Sequence, residues 1–87
     1  MDSAEIEQRI VNIVSDAGVE VLGADCDFSV TVISDQFKGL MPVKRQQMIL
    51  AGFADVLASG ALHALTVKPF TLDEWNKKYS NLVQIGL

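Results

Sequence analysis

Apolar residues recur at helical spacing at the start of the chain, where Ile6, Ile10, Ile13, Val14 and Ala17 interleave with Glu5, Glu7, Gln8, Arg9 and Asn12. The pattern predicts an amphipathic helix from residue 2 to about 17. Asp2 followed three residues on by Glu5 resembles a capping box, and Gly18 supplies a stop. The pattern then shifts to alternation. Residues 19–24 and 28–34 are rich in β-branched side chains, and in the second run Phe28, Val30 and Val32 alternate with Ser29 and Thr31. Only Asp25, Cys26 and Asp27 separate the two runs, which is hairpin length, so the pair is predicted to be antiparallel.

Helical spacing returns after Gly39. Pro42 suits the first turn of a helix, and Leu50, Phe53 and Leu57, flanked by Val43, Met48, Ile49, Ala54 and Val56, extend one wide apolar face over 42–58. Ser59-Gly60 ends it. Residues 62–68 read as a third strand. After Pro69, Thr71-Leu72-Asp73-Glu74 is a capping-box signature that opens a last helix carrying Trp75 and Tyr79. The order is αββαβα: an α+β fold, one domain over residues 1–87, with helices packed on a three-stranded mixed sheet. A strand–helix–strand crossover within one sheet makes its two strands parallel. If the second and third strands share such a crossover, they begin at the same edge. Cys26 and His63, the chain's only Cys and only His, stand at those two beginnings.

Composition narrows the function classes. Eighty-seven residues, 49% hydrophobic and 21% charged, are enough for one core and one helical layer on a sheet. No apolar run approaches the roughly 20 residues that span a bilayer, and the acidic start is the wrong charge for a signal peptide, so a cytoplasmic location is expected. One cysteine forms no internal disulfide, and a reducing compartment suits it. The net charge of −4 weighs against nucleic-acid binding, which draws its affinity from neutralising phosphates. Lys38, Lys44 and Arg45 nevertheless gather around the start of the second long helix, where an anion, a nucleic-acid phosphate included, is one reading and a solvated face the other. Lys68, Lys77 and Lys78 form a second, unspecific basic cluster. Trp75, Phe37, Phe53 and Phe70 read as packing residues. No Gly-rich phosphate cradle, metal-ligand cluster of Cys and His, or nucleophile with a supporting base is marked by spacing, so no enzyme is expected.

Four segments resemble the BolA family in order and spacing: Ser34-Asp35-Gln36-Phe37-Lys38-Gly39, Val43-Lys44-Arg45-Gln46-Gln47, Leu62-His63-Ala64-Leu65 and Thr71-Leu72-Asp73-Glu74-Trp75. The second is similar to the bacterial IbaG-like branch. The resemblance implies a fold like the class II KH domain without its Gly-rich nucleic-acid loop. It also implies a partner, a monothiol glutaredoxin. In the family the heterodimer holds a [2Fe-2S] cluster through one cysteine of glutaredoxin, one of glutathione, and ligands of the BolA protein that include the histidine matching His63. Some members have been considered transcription factors, which keeps DNA as the alternative partner. The free chain is expected to be a monomer or a weak homodimer.

One departure stands out. Many BolA proteins carry a Ser-His pair just before the aromatic residue of the second strand, whereas Cys26-Asp27 precede Phe28 here. Iron in a cluster takes thiolate or imidazole, so Cys26 is chemically able to replace the missing histidine. A lone Cys is also a common packing residue, and a lone His a common hydrogen-bonded one. Asp25 and Asp27 would disfavour the thiolate by like-charge repulsion until a metal arrives. Two ligands do not complete a site that needs four, so the stoichiometry itself calls for a partner.

Overall fold

Three strands form one mixed sheet in the order β1-β2-β3. β1 (Gly18–Ala24) runs antiparallel to β2 (Asp27–Ile33), and β2 runs parallel to β3 (Ala64–Phe70). The helices among the described residues are α1 (Ser3–Ile13), α2 (Pro42–Ala51), α3 (Ala54–Ser59) and α4 (Leu72–Ile85), with a 3₁₀ turn at Asp35–Phe37. The structure, a computed structural model, describes residues 1–25 and 27–85, with side chains as far as Lys78. No helix among the described residues is long and apolar enough to cross a membrane.

The alternation read in the sequence sorts the sheet into two faces. Phe28, Val30, Val32 and Val67 point into a core completed by Ile6 and Ile10 of α1, by Val14 just after it, by Ile49 of α2, and by Phe37, Phe53 and Leu62. The opposite face carries Glu20, Leu22, Ser29, Thr31, Thr66 and Lys68, most of them exposed.

Four boundaries differ by more than one residue from the sequence pattern, each for a tertiary reason. α1 ends at Ile13, four residues before the predicted 17, because Val14 turns extended and buries its side chain in the core. The Asp16 carboxylate then accepts from Ser34 Oγ (2.6 Å) and Gln36 Nε2 (3.0 Å), and Gly18 opens β1 instead of stopping a helix. The predicted 42–58 helix is two helices. Gly52 and Phe53 close tightened turns onto Ile49 and Leu50, and a Cβ at Gly52 would run into the Ile13 side chain, so α1 crosses at the break. Arg9 clamps the crossing by donating to the Gly52 carbonyl (3.0 Å) and, bidentately, to Asp55 (2.8 and 3.0 Å).

The third strand starts at Ala64 and not at residue 62, since Leu62 is fully buried and its N–H donates to the Val56 carbonyl (3.0 Å). It also runs through Pro69. Ser34 N–H donates to the Phe70 carbonyl (2.9 Å), so residues 64, 66, 68 and 70 face β2 while 65, 67 and 69 turn their backbone groups to the open edge. A proline there costs the ladder nothing.

Candidate functional site

His63 sits between two residues with opposite environments. Leu62 before it is an anchor in the core, and Ala64 after it is the exposed first residue of β3. Upstream, Gly60 takes a left-handed conformation (φ 84°) that ends α3, and Ala61 N–H donates to Ser59 Oγ (3.3 Å). The imidazole is exposed and has no hydrogen-bond partner among the described residues. It is therefore not a core histidine satisfied by its neighbours, which leaves its nitrogens open to a ligand role.

The crossover topology expected from the sequence is present. β2 and β3 are parallel neighbours, and their register starts with Asp27 opposite Ala64. These two residues directly follow Cys26 and His63 in the chain. Cys26 itself, the second candidate ligand, lies outside the described residues. Among the described residues, no group of three or more His, Cys, Asp or Glu side chains is placed to hold a metal ion.

The basic residues lie at the other end of the sheet. Pro42, Arg45 and Gln46 at the start of α2 border a groove of about 470 Å³ whose floor is the end of β3, from Val67 to Phe70. A seven-residue strand separates that end from His63, about 20 Å. Within the set, Lys38 is exposed and lies 3.7 Å from Asp35, and Lys44 is exposed. Arg45 departs from the anion-binding expectation. Only 6% exposed, it donates Nε to the Leu40 carbonyl (2.8 Å) and two further bonds to Glu74 (2.6 and 3.2 Å), with its guanidinium 5.8 Å from the Phe37 ring centre. Its charge is already neutralised, so it is a structural cation. The signal was present in the sequence: Arg45 and Ile49 are four residues apart and share one face of α2, and both are buried.

Glu74 was legible as a capping residue and has a second role. Its Oε1 accepts the Thr71 N–H (2.9 Å), and its own N–H donates to Thr71 Oγ1 (3.2 Å), completing the capping box. The same carboxylate receives Arg45. The guanidinium first, and the Thr71 N–H second, hold the Glu74 carboxyl down to about 2. Trp75 meets Phe70 edge-on, with ring centres 5.5 Å apart, and Lys78 Nζ stands 5.0 Å from the same Phe70 ring. Trp75 is thus a packing residue of α4, as its spacing suggested. Tyr79 belongs to α4, but its side chain lies outside the described residues.

Comparison with known proteins agrees with this architecture. The family model for BolA-like proteins matches residues 7–74. The chain is 31% identical over 75 residues to the acid stress protein IbaG of Escherichia coli, covering 86% of this chain and 89% of that relative. It is also 31% identical over 77 residues to the DNA-binding transcriptional regulator BolA of Vibrio cholerae, covering 86% of this chain and 72% of the relative. Among solved structures, a bolA protein homologue from Coxiella burnetii superimposes with a TM-score of 0.76 at 25% identity, over 87% of this chain and 97% of that one. With fold, motif order and family model in agreement, the chain belongs to the BolA-like protein family.

Proposed function

We propose that this chain is a binding adaptor that shares a [2Fe-2S] cluster with a monothiol glutaredoxin and glutathione, with His63 supplying an imidazole ligand. Cys26 is the candidate for the second ligand from this chain. The observation that carries the reading is the parallel register that starts one residue after each of them. The exposure of His63 supports it too, because a shared cluster needs a ligand that a partner's surface can reach. The donor chemistry fits: imidazole and thiolate are the side chains that iron in such clusters accepts, and two of them leave half the ligand set to the partner. The cluster is cargo in this reading, held jointly and handed on. The experiment is reconstitution with a monothiol glutaredoxin, ferrous iron, sulfide and glutathione. A heterodimer whose visible absorption and circular dichroism change on His63→Ala is the expected result. A His63→Ala spectrum identical to the wild type ends the assignment, and Cys26→Ser tests the second ligand in the same way.

A second reading, DNA binding, is favoured by the resemblance to the Vibrio cholerae regulator. It would rest on Lys38 and Lys44, since Arg45 is engaged by Glu74. The net charge of −4 weakens it. A salt titration decides: a regulator keeps a preference for one sequence at about 150 mM salt, and loss of all binding there removes this reading.

A further inference from the structure

The two edges of the sheet are defended differently. On β3, the outward backbone positions are 65, 67 and 69. Pro69 has no N–H to offer, Gln46 Nε2 reaches the Val67 carbonyl (3.4 Å), and Lys68 adds a charge beside them. These are the devices that stop edge strands from pairing. On β1, the register with β2 engages residues 18, 20, 22 and 24, which leaves the N–H and C=O of Val19 and Val21 facing outward, while Gly23 turns out of strand geometry at φ 116°. The outward groups of Val19 and Val21 have no hydrogen-bond partner among the described residues. This seven-residue strand holds no Pro and no Lys, its one charge is Glu20, and Leu22 is 57% exposed on the open face.

We infer that the β1 edge is a self-association surface, and that its occupant is β1 of a second copy, paired antiparallel about a two-fold axis at Val21. The strand is self-complementary in that register. Val21 meets Val21 of the second copy in a pair that exchanges two main-chain hydrogen bonds, and Val19 falls opposite Gly23, whose φ of 116° takes it out of the regular ladder. On the open face Glu20 then lies opposite Leu22 of the second copy, so no like charges meet across the strands. The symmetric register centred on Glu20 would set two carboxylates face to face. The one centred on Leu22 would leave Val19 opposite a residue beyond the strand. The result is one continuous six-stranded sheet built from two three-stranded ones, with both β3 edges, already blunted, at its rims. Each copy carries −4, so association should tighten as salt screens the repulsion.

Sedimentation equilibrium on the full chain, up to about 1 mM, tests this surface. A dimer is expected that tightens with salt. Val21→Pro, which gives β1 the same device that Pro69 gives β3, should abolish it while leaving the circular dichroism spectrum folded. Leu22 keeps the test independent of the proline's effect on folding. Leu22→Glu, facing Glu20 of the second copy, should weaken the dimer about threefold to thirtyfold, whereas Leu22→Lys should hold or tighten it. A chain monomeric throughout, a dimer indifferent to a folded Val21→Pro variant, or one that Leu22→Lys weakens as much as Leu22→Glu overturns the inference.

Discussion

The two ends of the sheet carry the chain's two most chemically suggestive side chains, and they treat them in opposite ways. At the end where β2 and β3 begin, the His63 imidazole stands in solvent with no partner among the described residues. At the end where β3 finishes, the Arg45 guanidinium is buried over Phe37, bonded to the Leu40 carbonyl and paired bidentately with Glu74. A side chain whose bonding capacity is filled by its own fold holds that fold together, and one left open is available to something outside it. By this criterion the Arg45 end is structural and the His63 end is the one left open among the described residues.

The contrast sets an order of expected effects on stability. Phe37→Ala should be the most damaging, since it empties a fully buried aromatic site beneath Arg45; a loss of about 3–5 kcal/mol is expected in a denaturant titration. Arg45→Ala comes next, lowering the thermal midpoint by removing three hydrogen bonds and the link from α2 to α4. Arg45→Lys should restore little of it, because an ammonium does not reproduce the fork that meets both Glu74 oxygens. A rescue by lysine would show that charge alone suffices there.

A smaller effect should follow pH. The Glu74 carboxyl is depressed from the ordinary value to about 2, so its contribution to stability is complete above about 4.5 and is lost as pH falls from there toward about 2. Arg9 also holds Asp55 low, which is why the measurement should be a difference. Wild type should be more stable than Glu74→Gln near neutrality, and the gap should close through that acid window. A gap independent of pH would mean that the carboxylate's charge is not what Arg45 reads. The smallest effect belongs to His63→Ala, expected to change stability by no more than about 0.5 kcal/mol. A large loss would move His63 into the structural class and break the comparison.

Much of this was legible in the sequence. The amphipathic period of α1, the alternation of β2 and the short loop before it lead directly to a helix, a hairpin and a core face, because each is a local pattern. The parallel pairing of β2 and β3 was legible conditionally, because a strand–helix–strand crossover makes its two strands parallel only if both lie in one sheet. What escaped depended on contacts between elements. The apolar period of Leu50, Phe53 and Leu57 runs through Gly52 without interruption, and only the approach of Ile13 explains why the helix breaks there. Pro69 looked like the end of a strand, since its tolerance depends on β3 being an edge, which is a property of the sheet order. By residue type Arg45 suggests an anion contact or a solvated face, although its position on the Ile49 face marks it as inward. At the candidate site, the motif points to His63, while its exposure and its lack of a hydrogen-bond partner among the described residues come from the structure.

Glu74 has a consequence for the order in which the chain can assemble. A helix is costly to nucleate and cheap to extend, and α4 begins with a carboxylate that serves its own first turn and Arg45 of α2 at once. The start of α4 and the seating of α2 are therefore one cooperative event. In native-state hydrogen exchange, the amides of Glu74 and Trp75 should be released together with the Arg45 amide, which donates to the Met41 carbonyl at the start of α2, as a single unit spanning two segments far apart in the chain.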